Sequence, residues 1–339
     1  MDIQKTILPN GLRVVTASMP SRYGAYVGLL VRVGSRYETE AQRGISHFIE
    51  HMLLKGTESR PTPEKLLEDI EWVGGGIDDD ATATGEETTY YGIYVPHGDL
   101  HVALDLLADV ILHPLFDERN IKSERAAIAE EERGRRDDPN KMASDLLKEL
   151  LWPNHPLAWT VAGTEETLRS FTRDDLLKFM ADHYIPQNIV VSVAGSVAHD
   201  EVVDLVAAKF GDWPAGEPVT CVPVGNAQSA PQVGLHIRKA EQENLFLAVR
   251  ALPRTHPDYY ALDLLNLILG GKQTSRLFLA MRETSGLVYD VSSGYAPYSD
   301  TGVLSIATGL AKENVATGLH DILKELKALT ECEVPAPEL

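Results

Sequence analysis

Residues 211–232 read GDWPAGEPVTCVPVGNAQSAPQ, with four prolines, three glycines and no hydrophobic period. Proline lacks a backbone N–H and glycine leaves the chain unrestrained, so this stretch favours neither a helix nor a central strand. It is expected to act as a linker at 213–232, between an N-terminal domain at 1–212 and a second domain at 233–339. A length of 339 residues agrees with two domains of ordinary size.

Before the break, residues 11–17 (GLRVVTA) and 25–33 (AYVGLLVRV) are β-rich runs joined through Pro20 and Gly24. The run GISHFIEHMLLKGT follows, with Ile45, Phe48, Ile49, Met52 and Leu53 at the spacing of one helix face and Gly56 at its end. Thr62-Pro63-Glu64 opens a second helix that reaches Gly74. Residues 88–95 read as a strand, Leu100–Leu112 as an amphipathic helix and 118–135 as a long charged helix. The segment 141–183 is mostly helical, and 188–194 (NIVVSVA) is a short strand.

After the break the plan starts again. Residues 233–237 and 244–250 are strand-like, Tyr259–Leu269 and 274–281 helical, 302–308 a strand and 315–329 a helix. The order matches the first half at an offset of about 215 residues. The expected fold is α+β, with two related domains, each a mostly antiparallel sheet packed with helices on one side. The second copy stops early, so the chain is expected to be a fragment truncated at its C-terminus.

Fifty acidic against thirty-one basic residues leave a net charge of −19. That argues against nucleic acid as the partner, since phosphate binding wants a basic patch, and it favours basic peptides as ligands. No stretch has the roughly 18–20 apolar residues of a membrane span. The N-terminus MDIQKTILPNGLRVV lacks an export signal, so a cytoplasmic location is expected. Cys221 and Cys332 are too few and too far apart for a disulfide framework or a thiolate metal site. Residues 270–275 (GGKQTS) lack the spacing of a phosphate loop.

The sharpest local signal is His47-Phe48-Ile49-Glu50-His51. Positions four apart on a helix project from one face, so two imidazoles at this spacing can hold one metal ion. Glu50 edges the same face, placed to take a proton from a metal-activated water without being a ligand. A third ligand must come from elsewhere, and the charged helix at 118–135 is the best supplier. Glu124 and Glu131 are seven apart and share a face, but local chemistry does not choose among Glu130, Glu131 and Glu132. His97 and His101 also have i, i+4 spacing and read as exposed.

The inverted HxxEH motif is that of the inverzincins, and its context resembles the pitrilysin-type M16 zinc metallopeptidases, in the branch of the processing-peptidase β-subunit. The matching stretches are PNGLRVV, GISHFIEHMLLKGT, ETTYY, ALDLLADVILHPLFD, SERAAIAEEERGRRDDP and TSRLFLAMRETSGLVYDVSSGY. The resemblance implies a zinc-dependent endopeptidase acting on short or unfolded peptides, with one Zn2+ per chain. It implies zinc on His47, His51 and Glu131, with Glu50 as general base and Glu124 as a supporting acid. It implies substrate contacts at Asp80, Ala81, Arg282 and Tyr289, and a homodimer or a heterodimer with a second M16-type subunit. An M16-type non-catalytic subunit is the alternative. Two features depart from the family pattern: Asp80 stands where the substrate-gripping edge strand usually has Asn, and the second domain ends early.

Overall fold

The computed structural model describes residues 2–78, 82–225, 228–240 and 242–339. The chain divides into two compact units, residues 1–133 with 159–222, and residues 134–158 with 223–339. The units are therefore not contiguous in sequence: residues 134–158 cluster with the second unit, which a division at 213–232 does not anticipate.

The strands of the first unit are β1 (Asp2–Ile7), β2 (Arg13–Ser18), β3 (Gly24–Val31), β4 (Gly76–Ile77), β5 (Ala83–Thr84), β6 (Thr89–Pro96) and β7 (Ile189–Gly195). They form one sheet in the order β1-β2-β7-β3-β6-β4, with β5 also on β6. All pairings are antiparallel except β2 with β7, which is parallel. The short strands β4 and β5 follow one another along the outer edge of β6, at Tyr94 and Ile93 and then at Tyr90 and Thr89.

The helices α1 (Ile45–Leu53), α2 (Pro63–Trp72) and α3 (Leu100–Leu112) precede α4 (Glu118–Asp137), in which the division between the units falls. Next come α5 (Pro139–Leu151), α6 (Glu165–Ser170), α7 (Arg173–His183) and α8 (His199–Phe210). In β7 Ile189, Val191 and Val193 are buried while their neighbours are partly exposed, the period-two pattern of a sheet packed on one face. Those residues join Val27, Leu29 and Ile93 in a core shared with α1, α3 and α8. The sequence reading of α2 holds in detail, since the Thr62 side chain accepts a hydrogen bond from the Lys65 N–H and Pro63 opens the helix.

The second unit has a three-stranded antiparallel sheet of β8 (Glu243–Ala251), β10 (Gly302–Leu310) and β9 (Val291–Pro297), in that order. Leu304 and Ile306 pack against α9 (Tyr259–Leu269), a π-helical turn at Phe278–Thr284 and α10 (Val315–Glu331). On the other parity, Ala248 and Val303 meet Leu147, Leu151 and Trp152 from α5 and the turn after it.

Two expectations change here. The helix expected at 274–281 begins at Arg276 and widens into the π turn through Thr284. The strand expected at 233–237 does not form: Val233, Leu235 and Ile237 are 90%, 81% and 85% exposed. The strand β2 is held on both sides, by β1 and β7, whereas among the described residues no strand pairs with 233–237. A strand pattern needs a hydrogen-bonding neighbour to become a strand. No helix of the described residues is long and apolar enough to cross a membrane.

Candidate metal centre

The geometry of the site begins with α1. Ile45, Phe48, Ile49, Met52 and Leu53 are buried against the core, each worth roughly 2 kcal/mol of apolar burial. That fixes the rotation of the helix and leaves His47, Glu50 and His51 on its less buried side. The N-terminus is held from outside the helix, where the buried Glu38 carboxylate accepts from the Gly44 and Ser46 N–H groups at 2.8 and 2.9 Å. Gly44 has φ +92°, and a Cβ there would lie 2.7 Å from the Ala162 carbonyl oxygen, so glycine alone starts the helix at this angle.

His47 and His51 are neighbours on that face, with ring centroids 4.6 Å apart and planes at 80°. Their Nε2 atoms are 3.3 Å apart. His51 Nδ1 lies 3.0 Å from Glu124 Oε2. A carboxylate only accepts, so the ring proton sits on Nδ1 and the His51 Nε2 lone pair faces His47. His47 Nδ1 is buried and has no hydrogen-bond partner among the described residues. Burial, with the His51 ring beside it, pushes the His47 pKa down to about 4, which leaves a neutral imidazole at neutral pH.

Of the three acids that local chemistry left open, Glu131 is the one whose carboxylate approaches both histidines. Glu131 Oε2 is 3.8 Å from both His47 Nε2 and His51 Nε2. Glu130 points away to Arg133. Glu132 is buried and places negative charge near His47. The three converging atoms fit a tetrahedral zinc ion, whose ligands at 2.0–2.1 Å stand about 3.3 Å apart. Glu131 is 55% exposed, so its side chain is free to close the remaining half ångström. Glu50, His47 and His51 also present ligand atoms within 4.8 Å of one another.

Glu50 is turned by a different element. Thr84, on β5, donates its hydroxyl to Glu50 Oε2 at 2.8 Å. Burial raises the Glu50 pKa above the ordinary carboxylate value, and the Thr84 hydrogen bond opposes that rise. Nearby, the buried hydroxyls of Tyr91 and Tyr184 meet at 3.0 Å.

Of the remaining sequence candidates, Arg282 and Tyr289 are brought together, with the guanidinium 5.0 Å from the centre of the 80% exposed Tyr289 ring. Asp80 and Ala81 lie outside the described residues. His97 and His101 are exposed at the start of α3, as expected, and Cys221 and Cys332 are free thiols.

The family profile for "Insulinase (Peptidase family M16)" matches residues 13–165, and that for "Peptidase M16 inactive domain" matches 170–339. The chain belongs to peptidase family M16. The M16 relatives include the Bacillus subtilis protein named "uncharacterized zinc protease YmxG", 34% identical over 99% of this chain and 81% of its own length. A Mycobacterium leprae protein also named an uncharacterized zinc protease is 38% identical over 89% of this chain and 68% of its own. Among solved structures, a Helicobacter pylori protease superposes with a TM-score of 0.92 at 24% identity, over 99% of this chain and 82% of that one. A Pseudomonas fluorescens peptidase M16 inactive domain gives 0.90 at 21% identity, over 100% and 81%. These likenesses carry the M16 fold. The HFIEH motif and Glu131 both fall within residues matched by the first profile.

Sequence reasoning missed Glu38, Lys55 and Thr84, whereas Glu132 was among the acids it left open. For Glu38 no local signal sets it apart from Glu40, and its bonds to the Gly44 and Ser46 N–H groups become visible only in the fold. For Thr84 no local signal exists, because its partner is 34 residues away in sequence.

Proposed function

We propose that this M16 chain is a zinc-dependent endopeptidase acting on peptides in an extended conformation. The observation that carries the reading is the 3.3 Å approach of two imidazole Nε2 atoms, with Glu131 Oε2 at 3.8 Å from each. In this reading His47, His51 and Glu131 hold one Zn2+. A zinc ion bound there supplies Lewis acidity, lowering the pKa of water and drawing charge from a peptide carbonyl.

The chain's own groups do the rest. Glu50 accepts a proton from the attacking water and returns it to the leaving amine. The Thr84 hydroxyl donates to Glu50 Oε2 and so orients the carboxylate that takes the proton. Glu124 is a positioning residue, orienting His51 through Nδ1. The edge beside Thr84 suits an extended peptide, which would add its backbone as a further strand. Asp80, Ala81, Arg282 and Tyr289 are proposed substrate contacts, the last two because a stacked guanidinium and phenol offer donors to a peptide carbonyl. A second M16-type subunit is the proposed protein partner.

The alternative, a non-catalytic subunit, is favoured by Asp80 and by the "inactive domain" profile over 170–339, a region that holds neither the HFIEH motif nor Glu131. Cleavage of a peptide library by the wild type, with Glu50→Gln as the dead control, tests the reading. Cleavage lost in Glu50→Gln supports it, and equal cleavage by both, or by neither, contradicts it.

A further inference from the structure

We infer that Lys55 is a positioning residue for the metal centre, holding α4 in register with α1 through two contacts one helical turn apart. Lys55 lies just beyond the last residue of α1, Leu53, and its N–H donates to the Met52 carbonyl at 3.1 Å. Its own carbonyl accepts from Asn120 Nδ2 at 3.0 Å. Its ammonium is 3.0 Å from Glu124 Oε1. Asn120 and Glu124 are four residues apart on α4, so they stand one above the other on a single face. One residue, anchored to the last turn of α1, thus grips two successive turns of α4.

The consequence reaches the metal donors. Glu124 has two carboxylate oxygens and two partners, Lys55 at Oε1 and His51 Nδ1 at Oε2. The lysine therefore fixes the plane of the carboxylate that fixes the plane of the imidazole. Glu131 stands seven residues, two turns, further along the same helix. Sliding α4 by one residue moves it about 1.5 Å along and 100° around its axis, enough to carry Glu131 away from the histidine pair. No local pattern marks this lysine, since Glu124 is 69 residues away (124 − 55 = 69). Lys55 is half-buried and Glu124 is buried, so removing the lysine charge leaves the carboxylate with His51 as its remaining partner and costs some stability. Its effect also falls on the orientation of the metal donors.

This inference rests on the zinc reading above, and the experiment separates the two. The zinc dissociation constants of the full wild-type chain, Lys55→Met and Lys55→Arg are measured by competition with a chromophoric chelator at one pH. The thermal midpoints of the metal-free chains are measured alongside. Lys55→Met keeps the length of the side chain and removes its charge. It is expected to weaken zinc binding about 10–100-fold, the usual effect of losing an outer partner of a ligand. Its metal-free midpoint is expected to fall modestly, because the buried Glu124 loses one partner, and Lys55→Arg is expected to restore both midpoint and affinity. Cobalt-loaded Lys55→Met is expected to show an altered visible spectrum, a readout of donor geometry that does not depend on the depth of the thermal transition. Unchanged affinity and spectrum in Lys55→Met, or a Lys55→Arg as weak as Lys55→Met, overturn the role of Lys55. A wild type that binds no zinc overturns the metal reading itself.

Discussion

His51 Nδ1 and Glu124 Oε2 are 3.0 Å apart, and this contact decides which nitrogen of His51 faces His47. Replacing Glu124 by Gln keeps the shape but lets the amide present either a donor or an acceptor, so the tautomer is no longer imposed. The expected result is a zinc affinity about 10–100-fold lower, without loss of any ligand. Glu131→Gln, which alters a direct donor, is expected to cost more. Chelator competition on both variants checks the order, and an equal or reversed ranking contradicts it.

Thr84 acts on Glu50 rather than on the metal. Thr84→Val removes one hydrogen bond of about 1 kcal/mol, so kcat/KM is expected to fall roughly 5-fold. Zinc content is expected to stay unchanged. The sign of the pH effect follows from the causes on Glu50: burial raises its pKa and the Thr84 hydrogen bond lowers it. Without Thr84 the carboxyl rises further, so the acid limb of the pH–rate profile moves to higher pH. A limb that stays put or moves down refutes the assignment of Glu50 as the base facing Thr84.

Gly44 sets the angle of α1. At φ +92° and with the Ala162 carbonyl in the way, Gly44→Ala is expected to destabilise the chain by about 1–3 kcal/mol. Urea unfolding at fixed pH measures it, and a neutral substitution shows that the backbone turn is not strained for other residues.

Glu38 makes stability depend on pH. Its carboxyl is pushed by burial from an ordinary 4.5 up to about 7, while the Ser46 and Gly44 N–H groups pull it back. A folded value above the unfolded one means a stabilising contribution fully present below about 4.5 and lost as pH rises through about 7. The loss amounts to on the order of 3 kcal/mol at most. In Glu38→Gln that slope is expected to vanish. Unfolding free energies of both chains at acid and mildly alkaline pH, with metal chelated, give the difference. Parallel slopes in the two chains contradict it.

The legible parts of this fold are those whose cause is local. The period of Ile45, Phe48, Ile49, Met52 and Leu53 and the Thr62-Pro63 start of α2 are written in short windows, and both form as read. The seven-residue step from Glu124 to Glu131 shows that they share a face. Which acid meets the histidines becomes visible only when α4 lies beside α1. Residues 233–237 show the opposite case, with a strand pattern intact but no partner strand beside it among the described residues. Lys55 and Thr84 were invisible because each acts on a residue far along the chain. The assignment of residues 134–158 to the second unit is likewise a matter of packing, since α5 places Leu147 and Leu151 against Ala248 and Val303.

The most direct test of the account is the zinc content of the purified chain, measured by elemental analysis after saturation with zinc and removal of loosely held metal. The account predicts one zinc per wild-type chain, and none retained by His51→Ala. A wild type that retains no more metal than His51→Ala would contradict it.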